Sequence, residues 1–234
     1  MRMRESANDD APTPSRLVAV WDLPVRIVHW SLAMLVTMSW LTSEIGGNAM
    51  TYHMWIGYSI LTLLVFRIAW GFAGSQHARF GSFLYGPVTV AKYLSSLLRL
   101  EPTCHVGHNP AGGWSVVALL LALSLQAVTG LFANDEIFTQ GPLAGRVSYE
   151  TSDLLTSVHR YNFYVLLGLI CLHVAAVFFY LLVKRENLIS AMFTGRKRVP
   201  AEVAFSQGRM ASRWLAAATF LGAAGLVAAV VNWS

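Results

Sequence analysis

Five long apolar segments divide the chain, and polar segments separate them. They lie at about residues 25–42, 52–72, 114–133, 158–183 and 214–231. Each approaches or reaches the roughly 17–25 residues that an α-helix needs to cross a bilayer core ~30 Å thick. Apolar runs of this length exceed what a soluble core of a 234-residue chain needs. The pattern therefore predicts an all-α integral membrane protein with five transmembrane helices.

A shorter segment from Gly86 to Leu100 has the pattern of an amphipathic helix. Pro87 suits the first helical turn, and the apolar side chains fall on one side of the helix. They are Val90, Tyr93, Leu94, Leu97 and Leu98. Because this helix is too short to span a membrane, we expect it to lie at the interface between the second and third spans.

The ends of the chain differ from the segment between them. Residues 1–16 are polar and contain proline, which predicts a disordered leader. We expect the main bundle at residues 17–200, and a linker with an additional C-terminal helix at residues 201–234. In that helix, Ala218, Gly222 and Gly225 predict a small-residue packing face.

Composition and charge support the same class and add an orientation. Hydrophobic residues make up 55% of the chain and charged residues only 12%, with a net charge of +5. Lys and Arg are concentrated in the leader, in the connection between spans two and three, and in the connection between spans four and five. By the positive-inside rule, the N-terminus is cytoplasmic, as is the interfacial helix, and the C-terminus is outside. No basic stripe with interleaved aromatic residues occurs, which argues against nucleic-acid binding.

Two histidines share the fourth apolar segment, His159 and His173. Fourteen positions separate them, so they differ by about 40° around the helix and by ~21 Å along it. With the predicted topology, His29 lies at the depth of His173 near the cytoplasmic side, and His53 lies at the depth of His159 near the outer side. Ionisable side chains at such depths are costly and usually face a bundle interior or a bound group. The sequence therefore predicts two stacked pairs, His29 with His173 and His53 with His159.

Paired imidazoles across a bundle suit the two axial positions of a haem iron. Small residues near the histidines, Ala33, Gly57, Gly130 and Gly168, are expected to leave room for a flat ring. No Cys-x-x-Cys-His motif occurs, which excludes covalent attachment and indicates b-type haem. Two alternatives are buried hydrogen-bonded histidines and a site for zinc or a transported ion. The second is weaker because acidic co-ligands are missing from the helix interiors.

Several motifs extend this pattern into a family resemblance. They are Trp21-Asp22-x-Pro24-x-Arg26-x-x-His29-Trp30, His53-x-x-x-Gly57, Arg67-x-x-Trp70-Gly71, Gly107-His108-Asn109-Pro110 and Asn187-Leu188-x-x-Ala191-Met192-x-x-Gly195-Arg196-Lys197. With the His159/His173 spacing, they resemble the bacterial cytochrome b561 and nickel–iron hydrogenase cytochrome b family over roughly residues 17–200. The resemblance implies a four-helix bundle in the bacterial inner membrane, with two haems b ligated by the four histidines. The fifth helix lies outside this family core, and we expect it to pack or to dock a partner.

The resemblance also implies a function. We expect the protein to relay electrons between a periplasmic redox partner and the quinone pool, as a carrier subunit with quinone oxidoreductase activity at most. The partner would be a c-type cytochrome or a dehydrogenase or hydrogenase subunit. One alternative is a partner-independent superoxide:quinone oxidoreductase, with Arg146 and Arg160 attracting the anion although nearby acids oppose this. The other is a haem-free transporter or assembly factor.

Three further residues are candidates for cofactor contacts. Arg67 and Arg160 are expected to neutralise haem propionates, with interfacial snorkelling as the alternative. His108 is expected to donate a proton to a quinone at the cytoplasmic loop, because histidine titrates near neutral pH. With Cys104 and His105, it falls short of a zinc signature.

The outer segment at residues 134–157 is acidic. It contains Asp135, Glu136, Glu150 and Asp153 and a single basic residue, Arg146. The positive-inside rule explains the scarcity of basic residues but not the abundance of acids. We therefore expect this segment to steer a basic redox partner.

Overall fold

The computed structural model describes residues 15–98, 105–135, 139–200 and 208–233. The strands are β1 (Ser15–Ala19) and β2 (Arg196–Pro200), and two short 3₁₀ turns lie at Gln76–Ala78 and Ala144–Arg146. The helices are α1 (Leu23–Ile45), α2 (Ala49–Ala73), α3 (Phe80–Phe83), α4 (Pro87–Leu98), α5 (Pro110–Gly130), α6 (Tyr149–Leu182), α7 (Leu188–Thr194) and α8 (Arg213–Val231). Helices α1, α2, α5, α6 and α8 are long and apolar enough to cross a membrane. The predicted all-α integral membrane fold is confirmed.

Helix α2 is the centre of the bundle, because it packs on α1, α5 and α8, while α5 also packs on α6. Two clusters of buried side chains hold these helices together. One joins α1, α2 and α8 and includes Val28, Phe66 and Ala223. The other joins α2, α5 and α6, through Leu64, Leu123 and Leu166 among others.

Asp22 determines where α1 begins and how it meets α2. Its Oδ1 accepts a hydrogen bond of 2.9 Å from the backbone N–H of Val25, which is N-cap geometry, and Pro24 lies in the first turn. Its Oδ2 accepts a hydrogen bond of 2.9 Å from Trp70 Nε1. The Trp21-Asp22 motif therefore joins the start of α1 to the end of α2.

A two-stranded antiparallel ribbon at the same end of the bundle was not predicted. Ser15 pairs with Pro200 and Ala19 with Arg196. The prediction of a disordered leader is therefore wrong for Ser15 and Arg16, which lie in β1. Residues 1–14 of the predicted leader lie outside the described residues. We call the end of the bundle that carries β1 and β2 the ribbon end, and the opposite end the far end.

Gly195 locks the ribbon to the first helix. It ends α7 with a left-handed backbone, φ 76°, that favours glycine. Its carbonyl accepts hydrogen bonds of 2.8 and 3.1 Å from the N–H groups of Val20 and Trp21. Arg26 donates from Nε to the Met192 carbonyl at 3.3 Å and from Nη2 to that of Phe193. Two motifs far apart in sequence thus bind each other.

Helix α6 is longer than its apolar segment. It begins at Tyr149, nine residues before the predicted span, and its 34 residues extend about 51 Å at 1.5 Å per residue. Ser148 caps it, accepting a hydrogen bond from the Thr151 N–H at 3.3 Å. The hydropathy of the sequence marks only the part of a helix that crosses lipid. The predicted span therefore does not include the polar first turns of α6 at the far end.

Helix α8 packs on α2 through a different face from the predicted one. Ala223 and Val227 are buried, and Phe220 contacts Phe66 edge-to-face at 6.1 Å between ring centres. In contrast, Gly222 and Gly225 face open space, with nothing within 4 Å of an added Cβ. The prediction of a packing face at Ala218, Gly222 and Gly225 is therefore wrong. Ala223, Val227 and Phe220 supply the contact with α2 instead.

Candidate cofactor sites

The structure brings both predicted histidine pairs together. The ring centres of His29 and His173 are 6.3 Å apart, with 56° between the ring planes. Those of His53 and His159 are also 6.3 Å apart, at 79°. Since His159 and His173 share α6, the two pairs are stacked ~21 Å apart along the bundle, one towards each end.

The equal spacing fits one metal ion between the two rings of each pair. A bond between a metal and an imidazole nitrogen is about 2 Å long, and the nitrogen lies about 1 Å from its ring centre, so two imidazoles on opposite sides of one ion have centres about 6 Å apart. A direct N–H···N hydrogen bond of about 2.9 Å would bring the centres to about 5 Å. A direct hydrogen bond between the two histidines of a pair therefore fits the spacing less well.

Backbone carbonyls orient both histidines of the far-end pair. His53 Nδ1 lies 2.9 Å from the Ser39 carbonyl oxygen, and His159 Nδ1 lies 2.8 Å from that of Gln126. A carbonyl only accepts, so both Nδ1 atoms carry a proton, and in the neutral imidazole Nε2 is then the nitrogen with the lone pair. This is the arrangement by which a second shell prepares histidine for a metal.

The ribbon-end pair has a different environment. His29 Nδ1 is buried and has no hydrogen-bond partner among the described residues. Trp30, next to it, stacks on Phe193 at 4.3 Å between ring centres. A buried polar atom without a partner costs about 1–3 kcal/mol, so this nitrogen fits a site built around a bound group.

The small residues near the pairs have two different roles. An added Cβ at Gly57 or Gly168 would meet nothing within 4 Å, in agreement with the space expected there. At Gly130 it would lie 2.9 Å from His159 Cε1, so Gly130 packs against the histidine instead of leaving space for a ring. Ala33 is exposed on α1.

Asn162 is a supporting residue that the sequence reasoning missed. It is buried in α6, three residues after His159. Its Nδ2 donates to the Ala122 carbonyl at 2.9 Å and to Gln126 Oε1 at 2.7 Å. It therefore fixes α6 against the turn of α5 that orients His159. The sequence feature that could have identified Asn162 is an amide side chain less than one turn from a histidine in an apolar helix.

The two arginine candidates differ in burial. Arg67 is only 6% exposed, donates to the Ala78 carbonyl at 3.3 Å and lies 5.4 Å from the centre of the Phe80 ring. Snorkelling into water therefore does not describe Arg67. Arg160 is exposed next to His159 at the far end.

His108 lines a cavity of about 270 Å³ at the ribbon end. The lining residues are His77, Ser82, Phe83, Tyr85, His105, Val106, Gly107 and His108. The His108 ring lies between Trp21 and Phe83, with 4.5 Å to each ring centre, and its Nδ1 is buried with no hydrogen-bond partner in the described part of the chain. Burial, with smaller effects from nearby cationic groups, lowers the pKa of His108 to about 3. His108 is neutral at physiological pH, contrary to the expected titration near neutrality.

No cluster of three or more His, Cys, Asp or Glu side chains suited to a metal ion occurs within residues 15–98, 105–135, 139–200 and 208–233. Cys104, the third member of the weak zinc candidate, lies outside these residues. Zinc would therefore have only histidine pairs as ligands here, which is below the four-ligand set of a structural zinc site.

The acidic segment lies at the far end, beside His53 and His159. Asp135, Glu150 and Asp153 are exposed there, and Glu136 lies outside the described residues. Arg146 donates from Nη2 to the Trp233 carbonyl at 2.9 Å, which ties this segment to the end of α8. Arg146 is one of the two arginines that would attract superoxide in the superoxide:quinone oxidoreductase alternative, and this hydrogen bond already engages it.

Comparison with known proteins finds one family model and several relatives. The sequence model of the family described as Prokaryotic cytochrome b561 matches residues 20–195. A relative from Rhizobium leguminosarum bv. viciae, named Probable Ni/Fe-hydrogenase B-type cytochrome subunit, is 25% identical over 219 residues, which cover 77% of this chain and 88% of the relative. A relative of the same name from Bradyrhizobium diazoefficiens is 25% identical, with 77% and 86% covered. A third, from Rhodobacter capsulatus, is 23% identical, with 77% and 81% covered. No solved structure matches the chain.

Proposed function

The chain belongs to the prokaryotic cytochrome b561 family, a family of multi-pass b-type cytochromes that transfer electrons in membranes, and we propose that it carries two haems b and relays electrons between a redox partner and the quinone pool. The observation that carries the proposal is the pair of equal 6.3 Å separations, His29 to His173 and His53 to His159. Each separation suits axial ligation of one iron by two imidazoles. When bound, haem b takes up and releases one electron at a time.

The chain's own residues hold and tune these sites. At the far end, the carbonyls of Ser39 and Gln126 orient the two imidazoles through Nδ1, which would leave Nε2 of His53 and His159 to hold a bound iron. Such second-shell bonds also raise the basicity of the ligands. At the ribbon end, His29 Nδ1 has no such bond. We infer that the two haems differ in reduction potential because their ligands differ in this respect.

The cavity at the ribbon end is our candidate for the quinone site. It is lined by aromatic and histidine side chains, and it lies near the end of the bundle that holds His29 and His173. A neutral imidazole has one N–H donor and one acceptor nitrogen, so His108 and His105 suit hydrogen bonding to the oxygens of a quinone or quinol. Aromatic neighbours such as Phe83 suit its flat ring.

Orientation and partner follow from charge. Among the described residues, every Lys and Arg except Arg146 and Arg160 lies in or next to the segments at the ribbon end, so we assign this end to the cytoplasm and the far end to the periplasmic side of the inner membrane. The names of the relatives support a hydrogenase as partner, and the acidic far end suits a basic redox protein such as a c-type cytochrome. The partner would exchange electrons with the His53/His159 site.

Haem counting in the purified protein tests the proposal. A pyridine haemochrome assay should give two haems per chain, and one or none would contradict it. His159→Ala should remove one redox component and His173→Ala the other, because each substitution removes an axial ligand of a different site. His105→Ala, outside both pairs, is the control and should keep both components. If His159→Ala and His173→Ala removed the same component, the pairing would be wrong.

A further inference from the structure

A buried polar cluster beside the cavity takes no part in holding the histidine pairs. The hydroxyl groups of Tyr93 in α4 and Tyr180 in α6 are hydrogen-bonded to each other, although the two residues are only 6% and 8% exposed. Asn109, at the start of α5, donates from Nδ2 to the Tyr180 hydroxyl at 2.9 Å. Three helices from different parts of the chain therefore meet through polar atoms.

Charged groups lie beside this cluster and are joined to it through the backbone of Tyr180 and His105. Glu186 Oε1 lies 2.5 Å from Lys197 Nζ, and Lys197 Nζ also donates to the His105 carbonyl. The Glu186 N–H donates to the Tyr180 carbonyl at 2.9 Å. The side chain of Glu186 is 25% exposed and that of Lys197 10%. Glu186 is the one acidic residue in the basic segment at 184–200, and its side chain is the more water-accessible member of the ion pair.

His105 connects the cluster to the cavity. Its ring lies edge-on to Tyr93, 5.2 Å between ring centres, and it lines the cavity with His108. Burial lowers the pKa of His105, Lys197 lowers it further, and Glu186 opposes them. His105 is therefore largely neutral at pH 7 and can receive a proton at one nitrogen while releasing one from the other.

A quinone at this cavity needs a source of protons. Reduction to the quinol consumes two electrons, supplied one at a time by the haems, and two protons, which form the two O–H bonds. His108 is neutral, and a neutral imidazole carries a single N–H, so this residue alone cannot supply two protons. The protons must therefore reach the cavity through other groups.

We propose that Glu186, Tyr93 and His105 form the route by which protons pass between water at the ribbon end and a quinone in the cavity. Tyr180 and Asn109 are positioning residues that hold the Tyr93 hydroxyl. Each proton that leaves His105 for a quinone oxygen is replaced through the Tyr93 hydroxyl and Glu186 from water, so the chain ends the reaction unchanged. When quinol is oxidised, the same steps run in reverse. This inference rests on the proposed function of the cavity.

The test uses the full-length, haem-loaded protein with its haems reduced beforehand by dithionite. Decylubiquinone, a short-tailed quinone, is mixed in and haem reoxidation is followed by stopped-flow absorbance. Glu186→Gln should slow reoxidation by about tenfold or more, the scale expected for a lost proton-transfer group, without changing the haem spectrum or content. Added formate or azide, small proton carriers, should restore the rate. Glu44→Gln, an exposed acid at the end of α1, is the matched control and should behave as wild type.

Tyr93→Phe provides a second, smaller perturbation, since it removes one oxygen atom. It should slow reoxidation and increase the ratio of rates in H₂O and D₂O, and it carries the test if Glu186→Gln does not retain haem. Tyr164→Phe, exposed on α6, is its control.

Three results would overturn the inference or its premise. Wild-type rates in both Glu186→Gln and Tyr93→Phe would exclude the route. A slow Glu186→Gln that small acids do not restore would mean that the Glu186–Lys197 ion pair only positions the His105 loop, which also excludes it. If decylubiquinone failed to reoxidise the wild-type haems, the quinone function itself would be wrong.

Discussion

Gly130→Ala tests most sharply whether His159 must keep its present position. The new methyl group would lie 2.9 Å from His159 Cε1 and 3.2 Å from its Nδ1. Ordinary contacts begin at 3.4 Å, so the imidazole must move by about 0.5 Å. The ring is held at Nδ1 by the Gln126 carbonyl at 2.8 Å, and a shift of this size takes that hydrogen bond out of its normal range.

The cost can be estimated from these contacts. Losing the hydrogen bond costs about 0.5–1.5 kcal/mol, and an off-rotamer ring costs about as much. Together these costs are about 1–3 kcal/mol, and the helix propensity that alanine gains over glycine is the same with and without haem, so it does not offset them. The loss corresponds to a roughly 5–150-fold weaker hold on the far-end haem.

Haem transfer to apomyoglobin measures this loss. The component that His159→Ala eliminates should leave Gly130→Ala roughly 5–150 times more readily than the wild-type protein, while the other component is unaffected. Gly222→Ala is the matched control, since its methyl group faces open space on α8 and only the helix gain applies. Equal retention of the far-end haem in Gly130→Ala and Gly222→Ala would refute the argued contact between residue 130 and the ligand.

Two further predictions concern the ends of the bundle. Changing Asp135, Glu136, Glu150 and Asp153 to Asn or Gln should flatten the salt dependence of the second-order electron-transfer rate with a basic c-type cytochrome, because charge steering weakens as the Debye length falls from ~30 Å to ~8 Å. If the electron-transfer rate changed neither with salt nor with neutralisation of these acids, the acidic segment would have no docking role. At the ribbon end, burial lowers the pKa of His108 to about 3, so its ring does not change charge between pH 5 and 8. His108→Ala should slow quinone-linked haem reoxidation without altering the haem spectrum. The rate of the His108→Gln variant should keep the pH profile of the wild-type protein. If that variant lost a pH transition that the wild-type protein shows, the conclusion that His108 is neutral would be contradicted.

The depth of each histidine could be read from the sequence alone. A membrane constrains a helix along one axis, so segment length and the rise per residue determine how far His29 or His173 lies from each surface. The phase of His159 and His173 on one helix follows from the same geometry. These local and one-dimensional properties explain why both pairs could be predicted without knowing how the helices pack.

The partners of those histidines depended on the tertiary structure. The carbonyls of Ser39 and Gln126 belong to neighbouring helices, and every residue carries a carbonyl, so side-chain identity gave no signal. The Tyr93–Tyr180 hydrogen bond and the pairing of Ser15 with Pro200 likewise join segments far apart in the chain. Such contacts arise only once the helices have assembled.

The rotation of each helix was also decided by packing. Lipid is as apolar as the bundle interior, so the hydrophobic pattern marks which segments span the membrane but not which face meets another helix. Helix α8 shows this directly: its small-residue stripe at Gly222 and Gly225 faces outward, and Ala223 and Val227 meet α2. In a membrane, the hydrophobicity of the sequence determines how deep each residue lies, and shape complementarity between helices determines which face of a helix meets its neighbour.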